Sequence, residues 1–563
     1  MKKPTLYILI SVCLFAGYFV SAEDSLEAWD HAGEVSQKPP VRQTQMTQDG
    51  FLWLEAENFM EYGGWKLDTQ YINLMGSAYL IAPGVGSPVA DATTSVTLPR
   101  PGVFRVWVRT RDWLPEYHPG RFEVHVNGLP LKPVFGEADQ DAWTWVDGGV
   151  VQMLLGKNTI SLHDLSGSFA RCDVILFAAI QDYIPPVELK SLVAERSKMV
   201  VTSSKNQGNF DVVVVGGGSA GCPAAIAAAR LGANTALIQD RPVLGGNASL
   251  ELGVGAQGAS ISLPNAIETG IIEEATRIHR LGGYHSLTPG FHQLCDSEPS
   301  LKVFLNTRAV GVEMDGENRI ARIKAVDTLT GDHSYFGARY VIDCTGDGWV
   351  GFYAGADYKL GREAKSLYNE PDAPETEDAI TMSGCIMGGH SIGYRSILTD
   401  GPVDYVAPPW AAALPDLVAS GRKPRNLITG EWWLEHAGTW DDLYDAERAR
   451  DELIRISFGY WDYLKNRWHG KEELRNYALV YVPYLVAKRE TRRLMGDHIL
   501  TTEEVLNGTI FEDRISYGGW PVDIHNPDGI YKGNTPYHTN YHIREPYTIP
   551  FRSLYTCNID NLL

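Results

Sequence analysis

Little in this chain points to a metal or a disulfide scaffold. Its seven cysteines, Cys13, Cys172, Cys222, Cys295, Cys344, Cys385 and Cys557, lie far apart and form no C-x-x-C pair. That spacing excludes a compact disulfide framework and a zinc knuckle, and it argues against an iron–sulfur cluster, which needs clustered thiolates. One or two isolated disulfides stay open, with no pairing indicated. There is no twin arginine near the N-terminus, no internal repeat and no low-complexity tract. Beyond Val20 no apolar run is long enough to cross a bilayer. Positive charge is scarce as well: 49 Lys and Arg stand against 69 Asp and Glu, a formal net charge of −20. Such a surface repels phosphate backbones and anionic lipid, which argues against nucleic acid and membrane-surface partners and favours a neutral or cationic small molecule.

The N-terminus reads as an export signal. Lys2 and Lys3 precede the apolar run Leu6 to Val20, and Val20-Ser21-Ala22 offers a small-residue cleavage site before Glu23 and Asp24. The run is short for a membrane span. Residues 1–22 are therefore expected to leave as a signal peptide, taking Cys13 with them, and the mature protein to be periplasmic or extracellular. A lipoprotein signal at Cys13 ranks lower, because Val12 stands where a small residue is wanted. Without a twin-arginine signal, export proceeds in the unfolded state.

A chain of 563 residues is long enough for two or three domains. Residues 23–50 are polar, contain Lys38-Pro39-Pro40, and read as a linker. Residues 51–184 carry short alternating runs between turns. Val103 to Arg109 has strict period two, and Phe122 to Val126 is closed by Asn127-Gly128, a strong hairpin signal. Thr159 to His163 and Val174 to Phe177 continue the pattern, which predicts an all-β sandwich. Residues 185–209 read as a second linker, with a short helix over Val187 to Met199 and a polar spacer from Thr202 to Gly208.

An α/β domain opens at Asp211. Val212 to Val215 form a continuous apolar strand, suited to burial on both faces of a parallel sheet. Gly216-Gly217-Gly218-Ser219-Ala220-Gly221 follows as G-x-G-x-x-G, then an Ala-rich helix from Cys222 to Leu231. Gly216 permits the tight turn, Gly218 lets backbone approach a pyrophosphate, and Gly221 lets helix and strand pack closely. The helix N-terminus adds partial positive charge, and Pro223 is tolerated in the first turn. A second strand, Thr235 to Ile238, ends at Gln239-Asp240, where an acidic residue normally meets ribose hydroxyls. Gln239 takes the usual acidic position and keeps both donor and acceptor. The alternative is a glycine turn in some other βαβ unit.

Two further segments resemble signatures of two-dinucleotide-fold flavoproteins and so favour FAD over NAD. Arg241 to Asn247 places the pair Gly245-Gly246 just past the ribose strand. Val303 to Asn306, Ala309 to Met314 and Ile320 to Asp327 predict a β-meander, followed by an apolar strand ending in Thr345-Gly346-Asp347-Gly348. The candidate cofactor contacts are Gly216, Gly218, Ser219, Ala220, Gly221, Gln239, Asp240, Arg241, Gly245, Gly246, Asn247, Val310, Thr345, Gly346 and Asp347. The predicted fold is a two-dinucleotide-binding-domain, Rossmann-like flavoprotein behind an all-β sandwich: residues 210–353 the first part of the FAD domain, 354–506 a substrate cap, and 507–563 the return to the FAD domain.

The runs GGGSAG, QDRPVLGGNAS and VIDCTGDGWVGFYAGADYKLGREAKS, with Lys488 to Thr501 and Tyr517 to Gly529, resemble the FAD-dependent oxidoreductases related to heterodisulfide reductase. They are most similar to an exported branch of that family with a β-sandwich in front. The resemblance runs from Asp211 to Leu563 and implies a bound FAD. The cysteines here give no support to the 4Fe–4S cluster that family labels sometimes carry. Such flavoproteins close with a strand of the type NLLxAGR, a glycine turn and a last helix. Asn561-Leu562-Leu563 matches the start of that strand, so the resemblance implies a truncated C-terminus.

For proton transfer, His525 stands between Pro521 and Pro527 with Asp523 two residues away. The pair suits removal of a hydroxyl proton as hydride leaves for flavin N5; a structural histidine is the alternative, and His538 and His542 are nearby substitutes. Arg489, Arg492 and Arg493 would bind an anion or pair within a helix. Trp432, Trp433, Trp440, Trp461 and Trp468 mostly read as core of the cap, and Asp441 to Asn466 as a helix with a solvated charged face. Cys222 reads as packing. In the front domain, Glu55 to Asn58, Trp65 and Leu162 to Asp164 resemble galactose-binding-like sandwiches of carbohydrate-binding modules. Of Trp107, Trp113, Trp143 and Trp145, Trp107 is expected in the sandwich core and Trp113 on a loop as a sugar-stacking face.

The expected function is therefore an exported FAD-dependent oxidoreductase that oxidises a hydroxyl of a carbohydrate or related compound, with the electron acceptor open. One alternative is a flavoenzyme acting on C=C bonds of a non-sugar compound. The other is a glycan-binding protein with an inactive flavin fold.

Overall fold

The computed structural model describes residues 45–254, 258–259, 263, 266–267, 269–281, 286–381, 384–385, 394–436, 438–532, 535 and 537–563. The expected signal peptide and most of the first linker lie outside the described residues.

The front domain is built from ten strands. One sheet contains β1 (Phe51–Glu55), β2 (Lys66–Asp68), β3 (Tyr79–Ala82), β5 (Gly102–Arg111), β8 (Trp143–Met153) and β10 (Ala170–Ala178), ordered β2-β3-β10-β5-β8 with β1 also on β10. The facing sheet is β4 (Ala92–Leu98), β9 (Gly156–Asp164), β6 (Phe122–Val126) and β7 (Leu129–Pro130), in that order. Asn127 and Gly128 take φ of 53° and 79°, the left-handed pair that a two-residue hairpin turn between β6 and β7 requires. Alternation holds on β4, where Ala92, Thr94, Val96 and Leu98 point inward. Every residue of β10 is buried, because both faces of its sheet are covered. The inner face meets the second sheet. On the outer face, Val174 and Leu176 pack with Leu192 and Met199 of helix α1 (Leu189–Met199). The predicted short helix thus seals the sandwich. Trp107 belongs to this outer layer, its Nε1 donating to Tyr183 O at 3.0 Å, and not to the core between the sheets.

The α/β domain has a six-stranded sheet ordered β13-β12-β11-β16-β15-β14. Strands β11 (Ser204–Val215), β12 (Thr235–Ile238), β13 (Leu301–Phe304) and β16 (His333–Asp343) are parallel, whereas β14 (Thr307–Met314) and β15 (Ile320–Asp327) run antiparallel alongside. Two expectations change. The polar spacer is mostly strand, since residues Ser204 to Phe210 pair with His333 to Ala338. The segment at Val303 belongs to the parallel sheet and not to the meander. Helix α2 (Gly221–Arg230) follows the glycine loop. Asn561 O and Leu563 continue the sheet beside Val341 and Asp343.

The cap centres on helix α3 (Ala446–Asp462), thirteen of whose seventeen residues are buried. Its apolar core is continuous with the front domain: Tyr71, Met75, Tyr79, Trp113 and Phe169 share one cluster with Trp410, Phe458, Tyr460 and Trp461. The charged face expected to be solvated instead docks the sandwich. Arg171 Nη1 lies 3.1 Å from Glu447 and 3.0 Å from Asp451, Arg450 Nη1 lies 2.9 Å from Asp68, and Arg111 also pairs with Glu447. Arg171, Arg450 and Asp68 are buried completely or nearly so. Among the described residues no helix is long and apolar enough to cross a membrane.

Candidate cofactor and active site

A cleft of about 510 Å³ opens where β11 and β12 end and the glycine loop begins. Gly216, Gly218, Ser219 and Ala220 line one stretch of it, Gln239, Asp240 and Arg241 a second, Gly246 and Asn247 a third, and Thr345, Gly346 and Asp347 a fourth. The glycines divide their tasks sterically. A Cβ on Gly216 would stand 2.1 Å from Cys344 O, with φ already at +106°. On Gly221 it would stand 1.8 Å from Gly216 O. On Gly218 the nearest atom is Gly246 Cα, at 3.8 Å. Gly216 and Gly221 therefore serve internal packing, while Gly218 keeps backbone open to the cleft at the N-terminus of α2. That is the provision a pyrophosphate needs.

Other side chains hold the cleft in shape. Gln239 Oε1 accepts from Gly217 N at 2.7 Å and its Nε2 donates to Val243 O at 3.3 Å, so this side chain braces the glycine loop while lining the cleft. Asp240 takes Arg308 Nη1 at 2.7 Å, and Arg241 pairs with Glu251. Asn247 Nδ2 donates to Lys488 O at 3.0 Å, and Lys488 Nζ lies 2.7 Å from Asp347 Oδ2. Gly245 stands behind the lining, bridged to Gly218. Val310 is a correction: its side chain packs on the sandwich core, and its neighbours Arg308 and Ala309 line the cleft instead. Val310 is the extra residue at a register shift between Ala309 and Gly311, where β14 departs from strict alternation.

His525 also departs from expectation. Nδ1 lies 2.8 Å from Glu435 Oε2 and Nε2 lies 3.1 Å from Asp523 Oδ2. Burial works against the charged ring, but the hydrogen bonds it donates to Asp523 and Glu435 outweigh it and push the pKa up to about 9. An imidazolium donating from both nitrogens has no lone pair for a substrate proton at neutral pH. It sits one contact behind the cleft: Glu435 Oε2 is 4.0 Å from Arg489 Nη2, and Arg489 is a lining residue. Arg492 stacks over Trp349 and Phe352, and Arg493 pairs with Glu490 and Glu363, so neither reads as an anion-binding group. His542 is exposed, and the side chain of His538 lies outside the described residues.

Asp442 carries a signal that sequence reading missed. It precedes Leu443, which lines the cleft. Burial pushes its pKa up to about 7, against a hydrogen bond from Thr381 Oγ1 at 2.6 Å and the nearby Lys488 charge. A carboxyl balanced near neutrality beside a cleft is suited to proton transfer. Nothing in the local sequence marks it, because its pKa depends on burial by the cap.

Among the described residues Cys172, Cys222, Cys295, Cys344 and Cys557 are free. Cys222 Sγ donates to Gly217 O at 3.1 Å, and its interaction with Cys295 together with burial keeps it a thiol. Three of the residues that carry the resemblance to carbohydrate-binding modules are engaged inside the sandwich. Trp65 is buried against Phe122, Glu55 is bound to Arg196, and Asp164 accepts from Val89 N and Gly167 N. Trp113 is only 2 % exposed, with its ring edge-on to Phe169 and Trp410; it lies at the seam between sandwich and cap and lines a cavity there.

A family model described as FAD dependent oxidoreductase matches residues 211–563. Among solved structures, the chain is similar to a family 35 carbohydrate binding module from Clostridium thermocellum, at 19% identity and a TM-score of 0.20, over 23% of this chain and 99% of that one. It is similar to L-proline dehydrogenase from P. horikoshii at 20% identity and a TM-score of 0.18, covering 29% of this chain and 26% of that one. For a flavocytochrome c3 fumarate reductase the figures are 20% identity, a TM-score of 0.19, and coverage of 25% and 34%. The chain thus spans about a quarter to a third of the length of these two flavoenzymes.

Proposed function

The chain belongs to the FAD dependent oxidoreductase family, and from that premise we propose that it is an exported enzyme oxidising a hydroxyl of a carbohydrate or related small molecule. The cleft's Gly218 opening, its helix N-terminus and its Asn247–Lys488–Asp347 wall fit FAD as cofactor. The Rossmann-like arrangement of the parallel strands belongs to the same reading. Bound FAD would supply a two-electron acceptor for the hydride of the carbinol carbon.

Asp442, as carboxylate, takes the hydroxyl proton in this reading. His525 and Asp523 act through Glu435 as positioning residues for Arg489, a change from base to anchor. The observation that carries the carbohydrate assignment is a second cavity of about 580 Å³ between sandwich and cap. Its lining combines Trp440, Tyr531 and His436 with Glu116, Asp141 and Glu452. Aromatic faces beside carboxylates suit stacking on a sugar ring with hydrogen bonds to its hydroxyls. Arg448 lies 4.2 Å over the Trp440 ring and forms part of that wall.

The test begins with the visible spectrum of the purified chain before and after denaturation, followed by anaerobic addition of mono- and oligosaccharides. Released FAD and flavin bleaching by a saccharide are expected. Bleaching only by a saturated non-sugar compound that becomes unsaturated, or re-oxidation of the reduced flavin by an unsaturated one, would favour the C=C reading, and glycan binding without any flavin reduction would favour an inactive flavin fold. For Asp442→Asn, the rate of flavin reduction is expected to fall about 10²–10⁴-fold. In the wild type this rate is expected to rise with pH through about 7, because the base must be deprotonated. A pH-independent rate between pH 6 and 8 on the order of the wild-type maximum would remove Asp442 from that role.

A further inference from the structure

The front sandwich reaches into the cofactor cleft. Between β2 and β3, a turn carrying Thr69 to Leu74 supplies Gln70, Tyr71, Asn73 and Leu74 to the lining. These residues precede the segment matched by the family model, which starts at residue 211. The turn is anchored firmly. Gln70 Nε2 donates to Tyr484 O at 3.1 Å, its Oε1 accepts from Val486 N at 3.0 Å, and Tyr71 is buried.

Asn73 and Arg308 connect this turn to the nucleotide-binding strand ends. Arg308 Nε donates to Asn73 Oδ1 at 2.8 Å, and its Nη1 donates both to Thr69 O at 3.1 Å and to Asp240 Oδ2 at 2.7 Å. Asp240 follows Gln239 at the end of β12, the place where a dinucleotide fold meets the adenosine ribose. One guanidinium therefore ties the sandwich to the adenosine half of the cleft. The other end of the asparagine amide, Nδ2, is buried away from the cleft, so Asn73 acts on the nucleotide site through Oδ1 and Arg308.

We propose that the sandwich turn 69–74 is the closing wall of the adenosine half of the FAD site, with Asn73 holding Arg308 in place through Oδ1. In this arrangement the sandwich is a cofactor-binding element, whatever it binds elsewhere. The inference rests on FAD being the cofactor.

The test uses the full chain stripped of flavin, titrated with FAD and separately with AMP, and melted without ligand. Asn73→Ala is expected to weaken FAD and AMP by the same factor, about tenfold or 1.4 kcal/mol, with little change in the ligand-free melting temperature. Asn73→Asp keeps an acceptor for Arg308 and is expected to bind both ligands close to the wild type. Wild-type affinity for FAD and AMP in Asn73→Ala, or a loss in Asn73→Asp as large as in Asn73→Ala, overturns the inference while leaving the cofactor intact. A wild-type chain that binds neither ligand overturns the cofactor assignment and the inference together.

Discussion

Replacing Glu447 by alanine is expected to destabilise the protein by about 3–5 kcal/mol, the cost of stranding buried charge. Glu447 lies at the centre of the contact between sandwich and cap. It receives Arg111, Arg171 and Arg450, the Tyr79 hydroxyl at 2.9 Å and the Trp143 indole at 2.9 Å. Removing it leaves three buried guanidiniums one carboxylate short, with Asp451, Asp68 and the partly exposed Asp141 beside them. Burial raises the Glu447 pKa, but Arg111, Arg171 and Arg450 outweigh burial and hold it down at about 2. The sign follows. A depressed carboxyl stabilises the folded state above its unfolded value near 4.5, and that contribution disappears as pH falls from there through about 2. Urea denaturation of wild type and Glu447→Ala at pH 7, repeated at falling pH, measures both effects. Equal midpoints at pH 7, or a difference that does not shrink towards pH 2, would show that the cluster does not hold the domains together.

Gly218→Ala is expected to lose about a hundredfold in FAD affinity, roughly 2.7 kcal/mol, while its ligand-free fold stays near wild type. The added methyl meets no protein atom closer than 3.8 Å, so what it obstructs is the cleft. Gly216→Ala is the contrasting case. Its methyl would stand 2.1 Å from Cys344 O at a φ of +106°, so the ligand-free protein itself should melt lower. Melting curves of the ligand-free variants beside FAD titrations separate obstruction from distortion. If Gly218→Ala binds FAD like the wild type, the cofactor does not approach the backbone at the loop, and the cleft has been read from the wrong wall.

Local chemistry carried much of the reading. Strand β12, helix α2, the turn at Asn127-Gly128 and the glycine loop all follow from short-range rules. Alternation, an Ala-rich 3.6 period and the left-handed freedom of glycine act between residues a few positions apart. The cleft residues clustered at strand ends were legible for the same reason, since a βαβ unit brings its loops to one edge. Val310 lies at a register shift in β14 that no local pattern marks, and its side chain packs on the sandwich core.

Long-range packing assigned the rest. The charges of helix α3 match a solvated amphipathic pattern, and nothing near them in sequence says that Asp68, almost four hundred residues away, will pair with Arg450. Trp113 is buried because Phe169 and Trp410 meet there. His525 is charged because Glu435 lies ninety residues upstream in sequence yet within 2.8 Å. Asp442 is held near neutrality because the cap buries it. Backbone conformation answers to neighbours along the chain. Burial, ionisation and the wall that Asn73 contributes depend on which distant surfaces fold against one another, and no local pattern encodes that choice.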